Sequence, residues 1–156
     1  MPDSPQTLAD RLLLEGGKAV DFFKQLSPEQ WEKLAYPGQG NWRFHELLSH
    51  FLSAELGRGE LVREVARGGK GTPPEFEIDE YNRLDVEKLA VETNQFLLHK
   101  FWVERSSLAA FVASLSQTDM ERQGNDPFLG WTSLAEIIKL TYRHNQIHIR
   151  EVRGRI

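Results

Sequence analysis

Residues 142–148 read Tyr-Arg-His-Asn-Gln-Ile-His, and they close a helical pattern that begins at Ser133. Apolar and small positions in this segment fall at Leu134, Ile137 and Thr141, and the same rhythm continues through His144, His148 and Glu151. The steps are 3, 4, 3, 4 and 3, so one helical face carries all six residues. His144 and His148 therefore occupy positions that an aliphatic residue holds one or two turns earlier. The spacing predicts that both imidazoles point into a helical core rather than into water.

A second segment repeats the pattern. In "HELLSHFLSAE", His45 to Glu55, the inward face reads Leu47, His50, Ala54, Gly57 and Leu61. His50 stands on that face beside small residues that leave room. If this helix and the last one are antiparallel, the start of one lies beside the end of the other. His50 then meets His144 and His148 at one level. His45, about 140° further round the helix, is expected at the surface, as is His99. Glu55, five residues from His50, is expected at the surface or behind a ligand rather than as one.

The remaining chain supplies the other helices. Ser4 caps a first helix over Pro5–Leu26, interrupted by Gly16-Gly17, which permits close approach of a neighbour. Ser27 and Gln30 form a capping box for a short helix that stops near Pro37-Gly38. Asn41 reads as the cap of a second long helix, Trp42–Arg67, ended by Gly68-Gly69. A loop, "GGKGTPPEFEIDEYN", leads to a third helix over Glu80–Leu115. Its seam is Ala90, Leu97, Phe101, Leu108, Phe111 and Leu115. A polar loop over 116–131 precedes the last helix, which Ser133 and Glu136 cap and Gly154 stops. No strand is expected.

Long amphipathic helices joined by loops make a four-helix bundle, here a single domain over residues 1–156. The connection between the second and third long helices holds about eleven residues and spans about 36 Å when extended. It can cross the bundle and join two parallel neighbours. The expected order is up-down-down-up, which is also the order that brings the three histidines together.

Composition narrows the function. The chain holds 40% hydrophobic and 27% charged residues, with a net charge of −4, a poor match to a nucleic-acid backbone. There is no cysteine, so disulfides and an internal thiol nucleophile are excluded. No signal peptide and no membrane-length apolar run is evident, and the expectation is a cytoplasmic protein.

Three buried imidazoles at one level need partners and repel one another if protonated. A divalent cation meets both demands, with three neutral nitrogens bound and a position left open for chemistry. The bland alternative is that each histidine is satisfied by a backbone carbonyl or by a carboxylate such as Glu46 or Glu151. A metalloprotease is disfavoured, because Asn145 stands where His-Glu-x-x-His has its glutamate.

Taken together, "NWRFHELLSHFLSAE", "EFEIDEYN" and "GWTSLAEIIKLTYRHNQIHIREVR" resemble the DinB/YfiT-like superfamily of metal-dependent enzymes, over about Thr7 to Arg153. Relatives include mycothiol-dependent maleylpyruvate isomerases and bacillithiol S-transferases. The resemblance implies an up-down-down-up bundle, often a homodimer. It also implies nickel or zinc on one histidine of the second helix and two of the fourth: His50, His144 and His148. The reaction it points to is transfer of a low-molecular-weight thiol to a small electrophile. Hydrolysis by activated water, or a non-catalytic stress-related binding role, are the alternatives. Trp42, Asp79, Tyr81 and Asn82 are candidates for the substrate mouth, and capping of the third helix is the plainer role for Asp79.

Overall fold

A computed structural model describes residues 3–156. In chain order the elements are α1 (Pro5–Lys24), α2 (Pro28–Glu32), β1 (Leu34–Tyr36), β2 (Trp42–Arg43), α3 (Phe44–Ala66), α4 (Ile78–Leu89), α5 (Asn94–Ala113), β3 (Gln123–Asp126), β4 (Gly130–Ser133) and α6 (Leu134–Val152). Helices α1, α3, α5 and α6 form the bundle.

Side-chain partners fix their directions. Along α3 and α5 the numbers rise together: His45 meets Asn94, Glu55 meets Arg105, and Arg63 meets Ser107. These helices are parallel. Arg11 lies over Tyr142 and Arg153 over Phe22, so α1 and α6 are parallel too. His50 meets His144, while Arg58 reaches back to the Ile137 carbonyl, so α3 and α6 are antiparallel. The order is up-down-down-up.

The parallel return between α3 and α5 is not made by an extended loop. Helix α4 makes it, running back along α3 with Tyr81 over Gly57 and Ala90 beside His45. The single third helix expected over 80–115 is therefore two helices with a break at Ala90–Thr93. Thr93 caps α5, its side chain accepting from the Phe96 amide at 3.1 Å. His45 holds the break: one ring nitrogen lies 2.8 Å from the Ala90 carbonyl and the other 2.5 Å from Asn94 Oδ1. His45 is thus half-buried and structural rather than a surface residue, whereas His99 is exposed as expected.

Two short antiparallel hairpins also depart from expectation. Leu34 pairs with Arg43 and Tyr36 with Trp42, while β3 pairs with β4 from Gln123↔Ser133 to Asp126↔Gly130. Asn41 is a turn residue of the first hairpin, at φ 54°, and not a helix cap. Its side chain accepts from the Gly38 amide, and Glu46 instead accepts from the Arg43 amide at the head of α3. The caps at Ser4 and Ser27 form as read, and of the Ser133–Glu136 box the half in which Ser133 accepts from the Glu136 amide forms.

The interior divides into two apolar clusters. One gathers Phe22, Phe23, Phe44, Leu47, Phe51, Leu97 and Phe101 at the histidine end. The other gathers Leu8, Leu12, Val62, Leu108, Leu134 and Ile137 at the opposite end. Full burial of each such side chain contributes about 1.5–3 kcal/mol. Between the clusters lie two buried arginines, Arg58 and Arg105. Of the four aromatics of α5, Phe101 is buried, Phe111 packs at the core edge, and Phe96 and Trp102 are exposed.

Candidate metal centre

His50 comes from α3, and His144 and His148 come from successive turns of α6. The Nε2 atom of His144 lies 3.0 Å from Nε2 of His50 and 3.0 Å from Nε2 of His148. Among the described residues, these three form the one group of His, Cys, Asp or Glu side chains whose ligating atoms all lie within 4.8 Å of one another.

Burial holds the rings neutral. The His50 imidazole is pushed down to about 3, by desolvation first and by His148 second. Desolvation also holds His144 well below its ordinary value, with further lowering from His50, His148, Arg58 and Arg105. His148 is lowered by burial, with Glu151 opposing.

Neutral rings leave an unsolved hydrogen-bond problem. A neutral imidazole carries one N–H, so the Nε2 of His144 can serve at most one of its two nitrogen neighbours. His50 Nδ1 is buried with no hydrogen-bond partner. Such a cluster is costly as a purely structural device. The converging Nε2 atoms fit a divalent cation, which accepts three bare nitrogens at once, while His50 Nδ1 is unpartnered either way.

Polar side chains surround the cluster. Tyr36 Oη lies 2.6 Å from His148 Nδ1 and donates to Glu151 Oε1 at 2.5 Å. On the bundle axis, Arg105 donates to both oxygens of Glu55, at 2.7 and 2.8 Å, and to Asn145 Oδ1 at 2.5 Å. Asn145, the residue after His144, is thereby anchored to α5. Gly16 makes this possible, because a Cβ there would sit 2.7 Å from Arg105 Cγ. Arg58 donates to Thr141 Oγ1, to the Ile137 carbonyl and to Asp126 Oδ2, tying α3 to α6 and to the β3–β4 hairpin. Glu55 therefore stands behind the site, buried.

Neither arginine was singled out in the sequence, yet both left a trace. The α5 seam jumps from Phe101 to Leu108, and Arg105 fills the gap at the seam position. Arg58 likewise lies four residues after Ala54 on the inward face of α3.

A cavity of about 800 Å³ reaches the cluster. His50 and His144 contribute to its wall, with Ala54, Gly57 and Leu61 of α3 and Tyr81 of α4. Pro127–Leu129 at the hairpin tip and Leu140 and Ile147 of α6 add to a lining that is mostly apolar by area, with charged side chains of α3 between Arg58 and Arg67 on one side. Tyr81 packs over Gly57, where a Cβ would lie 3.3 Å from its hydroxyl. Burial raises the Tyr81 phenol, with the Asp85 charge adding to it, so the hydroxyl is a donor.

The four candidates for the substrate mouth separate. Tyr81 and Asn82 line the cavity. Trp42 does not; its ring lies 5.0 Å from the His50 ring, centre to centre, and covers that side of the cluster. Asp79 is exposed in the first turn of α4, is not part of the cavity wall, and makes no cap there.

The sequence profile of the DinB superfamily matches residues 12–152. The chain belongs to the DinB superfamily. Solved structures share its fold at low sequence identity. YfiT from Bacillus subtilis, described as "a probable metal-dependent hydrolase with an unusual four-helix bundle topology", superposes with a TM-score of 0.78 at 12% identity, covering 96% of this chain and 84% of YfiT. A mycothiol-dependent maleylpyruvate isomerase gives 0.72 at 12% identity over 95% of this chain. This DinB-superfamily chain spans 59% of that isomerase. An uncharacterised protein from Clostridium difficile 630 gives 0.73 at 13% identity, over 99% and 98% of the two chains. No curated protein matches the chain in sequence. Among the described residues, no helix is long and apolar enough to cross a membrane.

Proposed function

We propose that this chain is a metal-dependent enzyme that transfers a low-molecular-weight thiol to a small, largely apolar electrophile. His50, His144 and His148 hold a divalent cation, nickel or zinc. The observation that carries this reading is the cavity whose wall includes two of the three converging imidazoles. A closed structural site has no need of such an approach.

A cation held by these three side chains would supply Lewis acidity that lets a thiol ionise near neutral pH. The thiol comes from a cosubstrate, since the chain has no cysteine. The apolar lining desolvates the electrophile and brings it to the histidines. Tyr81, held protonated, donates a hydrogen bond to the electrophile, and Asn82 beside it orients the same group. Trp42 excludes water from the His50 side. Arg105, through Asn145, holds the α6 backbone between the two ligands of that helix.

A second reading, hydrolysis by activated water, is favoured by the description of YfiT. The two part cleanly in one assay. Electrophiles are incubated with metal-loaded protein, with and without glutathione, bacillithiol or mycothiol. Thiol transfer predicts a thioether product and no turnover without thiol; turnover indifferent to thiol refutes it. The site itself is tested by metal content. Wild type should hold about one ion per chain, and His50→Ala and His148→Ala should lose it. Equal occupancy in all three proteins refutes the assignment.

A further inference from the structure

His148 differs from His50 in what stands behind it. His50 Nδ1 has no partner, and its ring is held by packing against Trp42. His148 Nδ1 faces the Tyr36 hydroxyl at 2.6 Å, and that hydroxyl donates a hydrogen bond to Glu151 Oε1 at 2.5 Å. A phenol has one proton. With that proton engaged in the bond to Glu151, the phenol oxygen is an acceptor toward His148, and the imidazole proton must sit on Nδ1. The Nε2 atom is then bare, and it is Nε2 that lies 3.0 Å from His144.

We propose that Tyr36, backed by Glu151, is the positioning residue that fixes His148 as an Nε2 donor and so sets the metal affinity of the three-histidine site. The inference rests on the metal reading above and goes further, assigning a role to a residue outside the bundle helices. Tyr36 is 8% exposed and is not part of the cavity wall, so contact with substrate does not account for it.

The fold spends several features on placing this phenol. Tyr36 ends β1, and Pro37 follows to turn the chain. The Arg155 guanidinium donates to the Ala35 carbonyl at 2.6 Å and lies 5.7 Å over the Tyr36 ring. The phenol ring meets the His148 ring edge-on, at 82° and 5.7 Å between centres. Hydroxyl, ring plane and strand position are thus each held by a different part of the chain.

The test titrates cobalt or zinc, against a competing chelator, into metal-free wild type, Tyr36→Phe, Glu151→Gln, the double variant and His144→Ala, with thermal melts of the metal-free proteins alongside. Tyr36→Phe should weaken binding about 10–100-fold, the usual cost of losing a residue that orients a metal-ligating histidine. Glu151→Gln, which keeps an acceptor oxygen, should lose less. The double variant should bind like Tyr36→Phe alone, because the two act in series. Metal-free melting should stay close to wild type in all of them. Affinity of Tyr36→Phe within about twofold of wild type, additive losses in the double variant, or losses that follow a lowered metal-free melting temperature would each overturn the proposal. If His144→Ala binds as tightly as wild type, the three-histidine site falls and the proposal with it; if only His144→Ala loses metal, the site stands and the role of Tyr36 does not.

Discussion

The Glu55–Arg105 pair offers a sharp test of what holds the histidine-bearing helices together. Arg105 is fully buried and Glu55 nearly so, at 0% and 2% side-chain exposure. The guanidinium makes four hydrogen bonds, two to Glu55, one to Asn145 and one to the Leu12 carbonyl. In Glu55→Leu the charge stays buried with two neutral acceptors, a loss of about 3–5 kcal/mol. That is a large share of the roughly 5–15 kcal/mol by which a domain is stable. In Glu55→Leu with Arg105→Met no charge is left. What remains is the cost of an unpaired Asn145 Oδ1, about 1–3 kcal/mol at most, offset by apolar burial, because the Leu12 carbonyl lies inside α1 and keeps its helical partner. The double variant should therefore be more stable than Glu55→Leu alone. Urea unfolding of the metal-free proteins measures both. A double variant as unstable as the single one, or a single variant within about 1 kcal/mol of wild type, refutes the claim that the pair is an uncompensable charge once broken. Because Asn145 lies between two proposed ligands, the double variant should still bind metal more weakly than wild type, even where its stability recovers.

Other outcomes follow from the same geometry. Metal-free protein should lose stability as pH falls below about 6.5, because the unfolded chain takes up protons on histidines that burial keeps neutral in the folded state. Each such imidazole contributes up to about 1.4 kcal/mol per pH unit. His50→Gln should therefore flatten urea-derived stability between about pH 6.5 and 5 by one proton; an unchanged slope would mean that His50 titrates normally. Nickel or cobalt should quench tryptophan fluorescence, since Trp42 lies 5.0 Å from His50, and Trp42→Phe should abolish most of that change. Gly57→Leu fills the cavity beneath Tyr81, where space for even a Cβ is 3.3 Å, and should raise KM for the electrophile about tenfold with metal content unaltered. An unaltered KM would place the substrate path elsewhere.

What could be read from the residues was local or periodic. Serine caps at positions 4, 27 and 133 act within three residues, so they appear in the sequence as they do in space. The histidines keep step with the apolar seams on both of their helices, and that phase placed them inside. The break after Leu89 has one local sign, the Thr93 cap of α5, set in an otherwise helix-compatible run, and one distant cause: His45 of another helix holds Ala90 and Asn94 apart from one continuous rod. The hairpins are two to four residues per strand, too short for alternation to register. Tyr36 sat in an unremarkable stretch before a proline, and only folding brings it 112 residues along the chain to His148.

Helix α4 contributes a single buried residue, Val86, yet it supplies part of the wall facing the histidines. The bundle core and the chamber boundary are thus largely separate pieces of the same polypeptide. Residues 68–89 can change in length or chemistry with little penalty to the packing that seats the imidazoles. Such a scaffold lends itself to grafting: exchanging that one segment should redirect which compounds enter while leaving the reactive end as it was.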